Sequence, residues 1–263
     1  EMCIRDSLQR TLPPDILENA AFTLRLGEGE GPEALEPRLL ACGYRRSDMV
    51  EGPGQFSRRG GILDIFSPGA ERPVRAEFWG DEIDSMGFFD TDTQRRAENI
   101  ESFRVLPACE SLVDPSRAGS IAKALLSRAA RAERREQTEL ARRLRRDAEL
   151  ISTGAPLPWS DRYLPELYSE YSTALDFIAP DAIVYIDAPN RCAEKAKDIS
   201  DSLADDLKIL REGAFPVAET GDYLLPWKDA CEKIADFAVV MADAFSAGRY
   251  PLSPRSVLDT NVR

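Results

Sequence analysis

Histidine is absent from this chain. With it go the commonest general base near neutral pH, the Ser-His and Cys-His nucleophile pairs, and the usual zinc and non-haem iron ligand sets. Any catalysis would have to run on carboxylates, Lys, Tyr or Cys. The five cysteines, Cys3, Cys42, Cys109, Cys192 and Cys231, contain no C-x-x-C pair and make an odd total, which fits neither a zinc site nor a disulfide framework. Their usage suits a reducing, cytoplasmic compartment. No run approaches the roughly 18 apolar residues of a membrane span, and nothing resembles a secretory signal. A G-x-x-x-x-G-K-[ST] loop is missing as well, so the chain has no phosphate cradle of the P-loop type.

What is present is a soluble globular composition: 263 residues, 43% hydrophobic, with 46 acidic against 34 basic side chains and a net charge of −12. That length accommodates one large or two ordinary domains. The charge falls in blocks. Residues 1–116 carry 13 basic and 22 acidic side chains, residues 117–151 carry 10 and 5, and residues 152–263 carry 11 and 19. The basic block holds Arg128, Arg131, Arg134, Arg135, Arg142, Arg143, Arg145 and Arg146, with no Pro and no Gly after Gly119, and its pattern predicts one long helix. A basic helix invites a nucleic-acid reading through counterion release from phosphates. Interleaved glutamates, the lack of stacking aromatics and acidic flanks favour a solvated connecting helix instead.

Along the chain, residues 1–7 show no usable pattern and are left out of the expected fold. Residues 12–17 begin a short helix, 21–26 alternate as a strand, and 33–42 form an amphipathic helix closed by Gly43. Gly27, Gly29 and Gly31 mimic a dinucleotide fingerprint, but the spacing is G-x-G-x-G and the intervening Glu28 and Glu30 would repel a pyrophosphate, so a turn is expected. Strands follow at 44–48, 55–59, 62–66, 74–79 and 82–89, separated by Gly-rich turns, and predict a mixed or antiparallel sheet. The acidic group Asp81, Glu82 and Asp84 lacks convergent partners for a metal. Beyond the basic block, Tyr163, Leu164, Leu167, Tyr168 and Tyr171 form an aromatic stripe at helical spacing that suits a core. Residues 175–178, 182–186 and 237–241 read as strands buried on both faces of an α/β sheet, with a helix at about 191–212. Asp187 and Asp243 then stand at strand ends, where an α/β fold keeps ligands; without a basic partner nearby, structural capping is favoured over a carboxylate enzyme.

Period-two alternation places Val74, Ala76 and Phe78 on one face of a strand and Arg75, Glu77 and Trp79 on the other. In 55–59, Phe56 and Arg58 share one face, and Arg59 lies opposite. Asp64 alternates away from Leu63 and Ile65, where it can orient an arginine. Arginine and an aromatic displayed together are the residue types that dominate protein interface hot spots.

The run GYRRSDMVEGPGQFSRRGGILDIFSPGAERPVRAEFWGDEIDSMGFFDTDTQR, residues 43–95, resembles the UvrB-homology region of the bacterial transcription-repair coupling factor family. Its VEGPG, RGGILDIF and FDTDTQR wording is closer to that family than to UvrB, whose own fragment is the alternative. LPPDILENAAFTLRL at 12–26, LPWSDRYLPELY at 157–168 and AIVYID at 182–187 resemble it more loosely.

The resemblance implies an α/β chain in which 8–111 is an α+β module that binds the excision-repair protein UvrA, 112–151 a long Arg-rich connecting helix, and 152–263 part of a degenerate RecA-like α/β domain without a nucleotide site. It implies a larger protein that moves on duplex DNA and displaces stalled RNA polymerase. That protein's ATP and Mg2+ belong to a motor outside this region, so no cofactor, membrane or small-molecule substrate is expected here and the chain is not expected to be an enzyme. The family's UvrA contacts fall on Arg59, Arg75 and Trp79. Trp79 stands where Phe is usual, and Arg58 where an apolar residue is usual.

Overall fold

The computed structural model describes residues 3–155, 157, 159–243 and 252. Two compact units result: a larger one, 12–169, and a smaller one that joins residues 1–11 to 170–263. In chain order the elements are α1 (Ile4–Leu8), α2 (Pro14–Ala20), β1 (Phe22–Arg25), α3 (Gly31–Ala41), β2 (Arg45–Arg46), β3 (Gln55–Arg59), β4 (Ile62–Phe66), β5 (Val74–Trp79), β6 (Glu82–Phe89), β7 (Arg96–Asn99) and β8 (Ser102–Val105). They continue as α4 (Ala118–Arg134), α5 (Thr138–Thr153), α6 (Leu164–Leu167), β9 (Ile183–Asp187), α7 (Pro189–Glu212), α8 (Trp227–Ile234) and β10 (Ala238–Ala242).

In the larger unit, β2 to β7 form a six-stranded sheet in sequence order, antiparallel except for the parallel β2–β3 pair. One face carries Phe56, Leu63, Ile65, Val74, Ala76, Ile83 and Met86 into a core shared with Leu35 and Leu39 of α3 and with Phe22, Leu24, Phe103 and Val105 of the antiparallel β1–β8 pair. The glycines at 27, 29 and 31 form a turn, as expected. The Gly31 N–H donates to the Asp81 carbonyl at 3.1 Å, and a Cβ on Gly29 would lie 2.5 Å from that same oxygen, so only glycine lets the turn close on the β5–β6 hairpin.

Strands β3 to β6 match the alternation in the sequence. The strand expected at 44–48 shrinks to β2, whereas β7 and β8 were not foreseen: Arg-Ala-Glu-Asn of β7 is too polar to read as a strand, and tertiary pairing overrides that local preference, while Ser-Phe-Arg-Val of β8 alternates with Phe103 and Val105 inward over only four residues.

The single helix expected over the basic block is corrected to a hairpin of α4 and α5, broken at Arg135–Gln137, with Glu136 at φ 60°. Two buried stripes explain it. Ile121, Leu125, Ala129 and Ala132 lie on α4, and Ala141, Leu144, Ala148 and Ile151 on α5. Between Ala132 and Ala141 a continuous helix would turn the stripe by about 180°, to the wrong side. Folding back brings both stripes together. The boundary expected near 111 lies inside this unit, where Tyr168 Oη accepts from Leu112 N–H at 2.7 Å and the side chains of Ser111 and Ser160 are 2.6 Å apart. The aromatic stripe is core, with Tyr163 and Tyr168 buried, although its backbone is a 3-10 turn at Ser160–Tyr163 followed by the short α6.

The smaller unit corrects three expectations. The N-terminal residues set aside as patternless include α1, whose Leu8 packs with Leu175, Ile186, Leu224 and Ile234. The strand at 175–178 is a 3-10 turn, Ala174–Phe177, held by a capping box between Thr173 and Asp176. Strands β9 and β10 pair in parallel, but Ile183, Tyr185 and Val240 are exposed, so the pair is buried on one face and not on two. Among the described residues no helix is long and apolar enough to cross a membrane.

Candidate functional site

The sheet face opposite the core carries a chemistry of its own. Register aligns Ser57 of β3, Asp64 of β4, Arg75 of β5 and Gly87 of β6 in one row across the strands, and Arg59, Ile62, Glu77 and Ser85 in the next. Asp64 is 1% exposed. Its carboxylate accepts from Arg75 Nε at 2.7 Å and Nη2 at 2.8 Å, a bidentate fork, and from Arg59 Nη2 at 2.9 Å. Such charge-assisted forks combine strength with fixed orientation. Arg75 also donates from Nη1 to the Gln94 carbonyl and from Nη2 to Gln94 Oε1, both at 3.2 Å, and lies 4.5 Å over the Phe89 ring. Asp64, through its hydrogen bonds, pushes the Arg75 pKa up.

Position and accessibility therefore differ between the two arginines. The Arg75 side chain is only 16% exposed, which corrects the expectation of a surface residue: Phe89 and the 90–95 turn, arriving from β6 and β7, cover it. Arg59, at the end of β3, is 49% exposed and uses one nitrogen on Asp64. Trp79 is 85% exposed at the end of β5. The β3–β4 and β5–β6 turns lie at the same end of the sheet, since Phe78 N–H donates to the Gly61 carbonyl at 2.7 Å. The three residues singled out in the sequence thus share one face; Arg59 and Trp79 also share its turn end, while Arg75 lies further along β5, in the row of Asp64.

Arg58, whose inward position is unusual, reaches the rim of the core face and meets α3: Nε donates to Glu36 at 2.7 Å and Nη1 to Glu33 at 3.3 Å. Pairing makes a charge tolerable there. Sequence reasoning missed Gln94, Phe89 and Arg96. Arg96 donates to Ser85 Oγ at 2.8 Å and lies across Gly87, where a Cβ would come 2.7 Å from its Nε. A glycine inside a strand is the one signal that could have pointed to this close approach.

The rival sites do not assemble. Asp187 lines a depression of about 460 Å3 with Arg191, Cys192, Lys195 and Asp198, but Asp243 is not on its lining. On the helical hairpin, Arg142 and Arg143 hold Glu139, whose pKa falls to about 2 through their hydrogen bonds, while Arg145 pairs with Glu133 and Arg128 with Glu166. Among the described residues, no cluster of three Cys, Asp or Glu groups is arranged to hold a metal ion.

Residues 22–110 match the UvrB interaction domain family. Over 214 residues the chain is 30% identical to the transcription-repair-coupling factor of Bacillus subtilis, covering 79% of the chain and 18% of that protein. The Myxococcus xanthus transcription-repair-coupling factor is 32% identical over 72% of the chain and 16% of its own length, and that of Escherichia coli is 39% identical over 41% of the chain and 9% of its own. The chain spans less than a fifth of the length of these relatives. The sheet that carries Arg59, Asp64, Arg75 and Trp79 is a member of the UvrB interaction domain family, within a chain homologous to transcription-repair-coupling factors.

Proposed function

We propose that the larger unit is a recruitment module that binds UvrA, with Trp79 as the apolar anchor and Arg59, backed by Arg75, as the donor to acidic groups of the partner. The observation that carries this reading is the 85% exposure of Trp79 at the same sheet end as Arg59, an arginine fixed on a buried carboxylate that Arg75 also holds. A large aromatic held in water has no role in the chain's own core; on a partner it becomes desolvated area beside charge-assisted hydrogen bonds. In this reading the chain acts without chemistry of its own. Residues 152–263 serve as part of a RecA-like domain without a nucleotide site, and ATP, Mg2+, duplex DNA and RNA polymerase belong to other parts of a coupling factor. The compartment is the cytoplasm.

Calorimetric titration of the 263-residue chain into purified bacterial UvrA tests the reading. Saturable binding is expected, with at least tenfold weaker affinity for an Arg59→Ala, Trp79→Ala variant that keeps its circular dichroism spectrum. No binding by the folded chain would sink it. Duplex DNA binding that falls steeply with salt would turn attention to Arg134, Arg135 and Arg146, three of the exposed arginines of the α4–α5 hairpin.

A further inference from the structure

Asp64 has no place among the residues expected to meet a partner, being almost wholly buried. Its surroundings nevertheless centre on the binding face. Of the groups around it, Arg75 has all three nitrogens engaged, with Nε, Nη1 and Nη2 each donating to Asp64 or Gln94. Arg59 is not. Its Nη2 is held by Asp64, and its Nε and Nη1 carry no hydrogen bond within the described chain. One carboxylate between two guanidinium groups leaves a single net positive charge, presented through the free side of Arg59.

A free surface arginine samples many rotamers, and fixing it on association costs entropy; an arginine already fixed by a buried carboxylate has lost that freedom in advance. We infer that Asp64 is the positioning residue of this face: by holding Arg59 at Nη2 it fixes the half-exposed guanidinium in place and leaves its remaining N–H donors for a carboxylate of the partner. The arrangement rests on the UvrA-binding reading above and adds a division of labour to it. Trp79 supplies area, Arg59 supplies the contact, and Asp64 with Arg75 supplies the aim. The ligand chemistry follows from the charge: an Asp or Glu carboxylate accepts from the guanidinium N–H groups that Asp64 leaves open.

The test is a double-substitution cycle in the full chain, read by calorimetry against UvrA with thermal unfolding alongside. Asp64→Asn keeps the shape but removes the charge that orients both arginines. In the wild-type background it is expected to weaken binding at least tenfold; in an Arg59→Ala background it is expected to change binding less than twofold, because nothing is left to aim. Equal losses in both backgrounds would show a general disturbance of the domain and overturn the proposal. So would wild-type affinity for Asp64→Asn. Failure of the unaltered chain to bind UvrA would instead remove the underlying functional reading. Because Asp64→Asn leaves two arginines around a neutral group and can unfold, 15N relaxation of arginine Nε–H groups in the unaltered chain gives an independent answer. Arg59 and Arg75 are expected to be rigid on the picosecond to nanosecond scale, and an Arg59 as mobile as the exposed Arg134 would overturn the proposal.

Discussion

At the scale of single residues, Asp64 makes the two arginines that donate to it unequal in what their loss would do. Arg75→Ala removes a bidentate partner from a carboxylate that is 1% exposed, leaving only Arg59, so a destabilisation of about 3 kcal/mol is expected from chemical denaturation. Trp79→Ala should change stability by less than about 0.5 kcal/mol, because the ring is in water, while binding to UvrA weakens by roughly tenfold or more. A Trp79→Ala chain that unfolds earlier but binds normally would reverse both assignments. Alternation alone put Asp64, Arg75 and Trp79 on one face, since side-chain direction in a strand is local. It could not show that Arg75 is covered. The cover comes from Phe89 and the 90–95 turn, and pairing partners some 11 to 20 residues away are invisible until the register is set.

At the scale of elements, the α4–α5 hairpin is the clearest gap between pattern and fold. Its loop has neither Gly nor Pro, and the turn is made by Glu136 at φ 60°, a conformation that costs an L residue with a Cβ. Glu136→Gly is therefore expected to raise stability by roughly 0.5–1 kcal/mol, seen as a higher denaturant midpoint with an unchanged slope. A loss of stability would mean that the Glu136 side chain contributes more than its backbone strain costs. The slip of the apolar stripe between Ala132 and Ala141 was legible in principle, because phase is a property of sequence. Strand β7 was not, since the polar Arg-Ala-Glu-Asn acquires strand geometry only by pairing with β6; β8 showed its alternation, Phe103 and Val105 inward, but over only four residues.

For the whole molecule, the buried phenols set the alkaline limit. Burial pushes Tyr44 up to about 12, and Tyr163 and Tyr168 are raised by the same cause. A folded-state value above the unfolded one, about 10, means the fold retains the proton; the stabilisation is complete below about pH 10 and disappears as pH rises through about 12. The denaturant midpoint is expected to fall across that window, with the tyrosinate absorbance of these three residues appearing together with unfolding. Smooth titration of all seven tyrosines near pH 10 in a folded chain would contradict it.

The bridge between Thr11 and Ser172, with N–H to O distances of 2.8 and 3.2 Å, has a consequence in polymer terms. It closes a loop that contains the entire larger unit. While that unit is folded, its own structure fixes where the chain leaves and returns. Once it melts, the bridge must close a flexible loop of roughly 160 residues, at an entropic cost of about 4 kcal/mol. The smaller unit, assembled from both sides of that loop, is thus thermodynamically a dependant of the larger one. Replacing 12–169 with a few residues of Gly-Ser linker would cut most of this closure cost and let α1 find Leu175 and Leu224 directly.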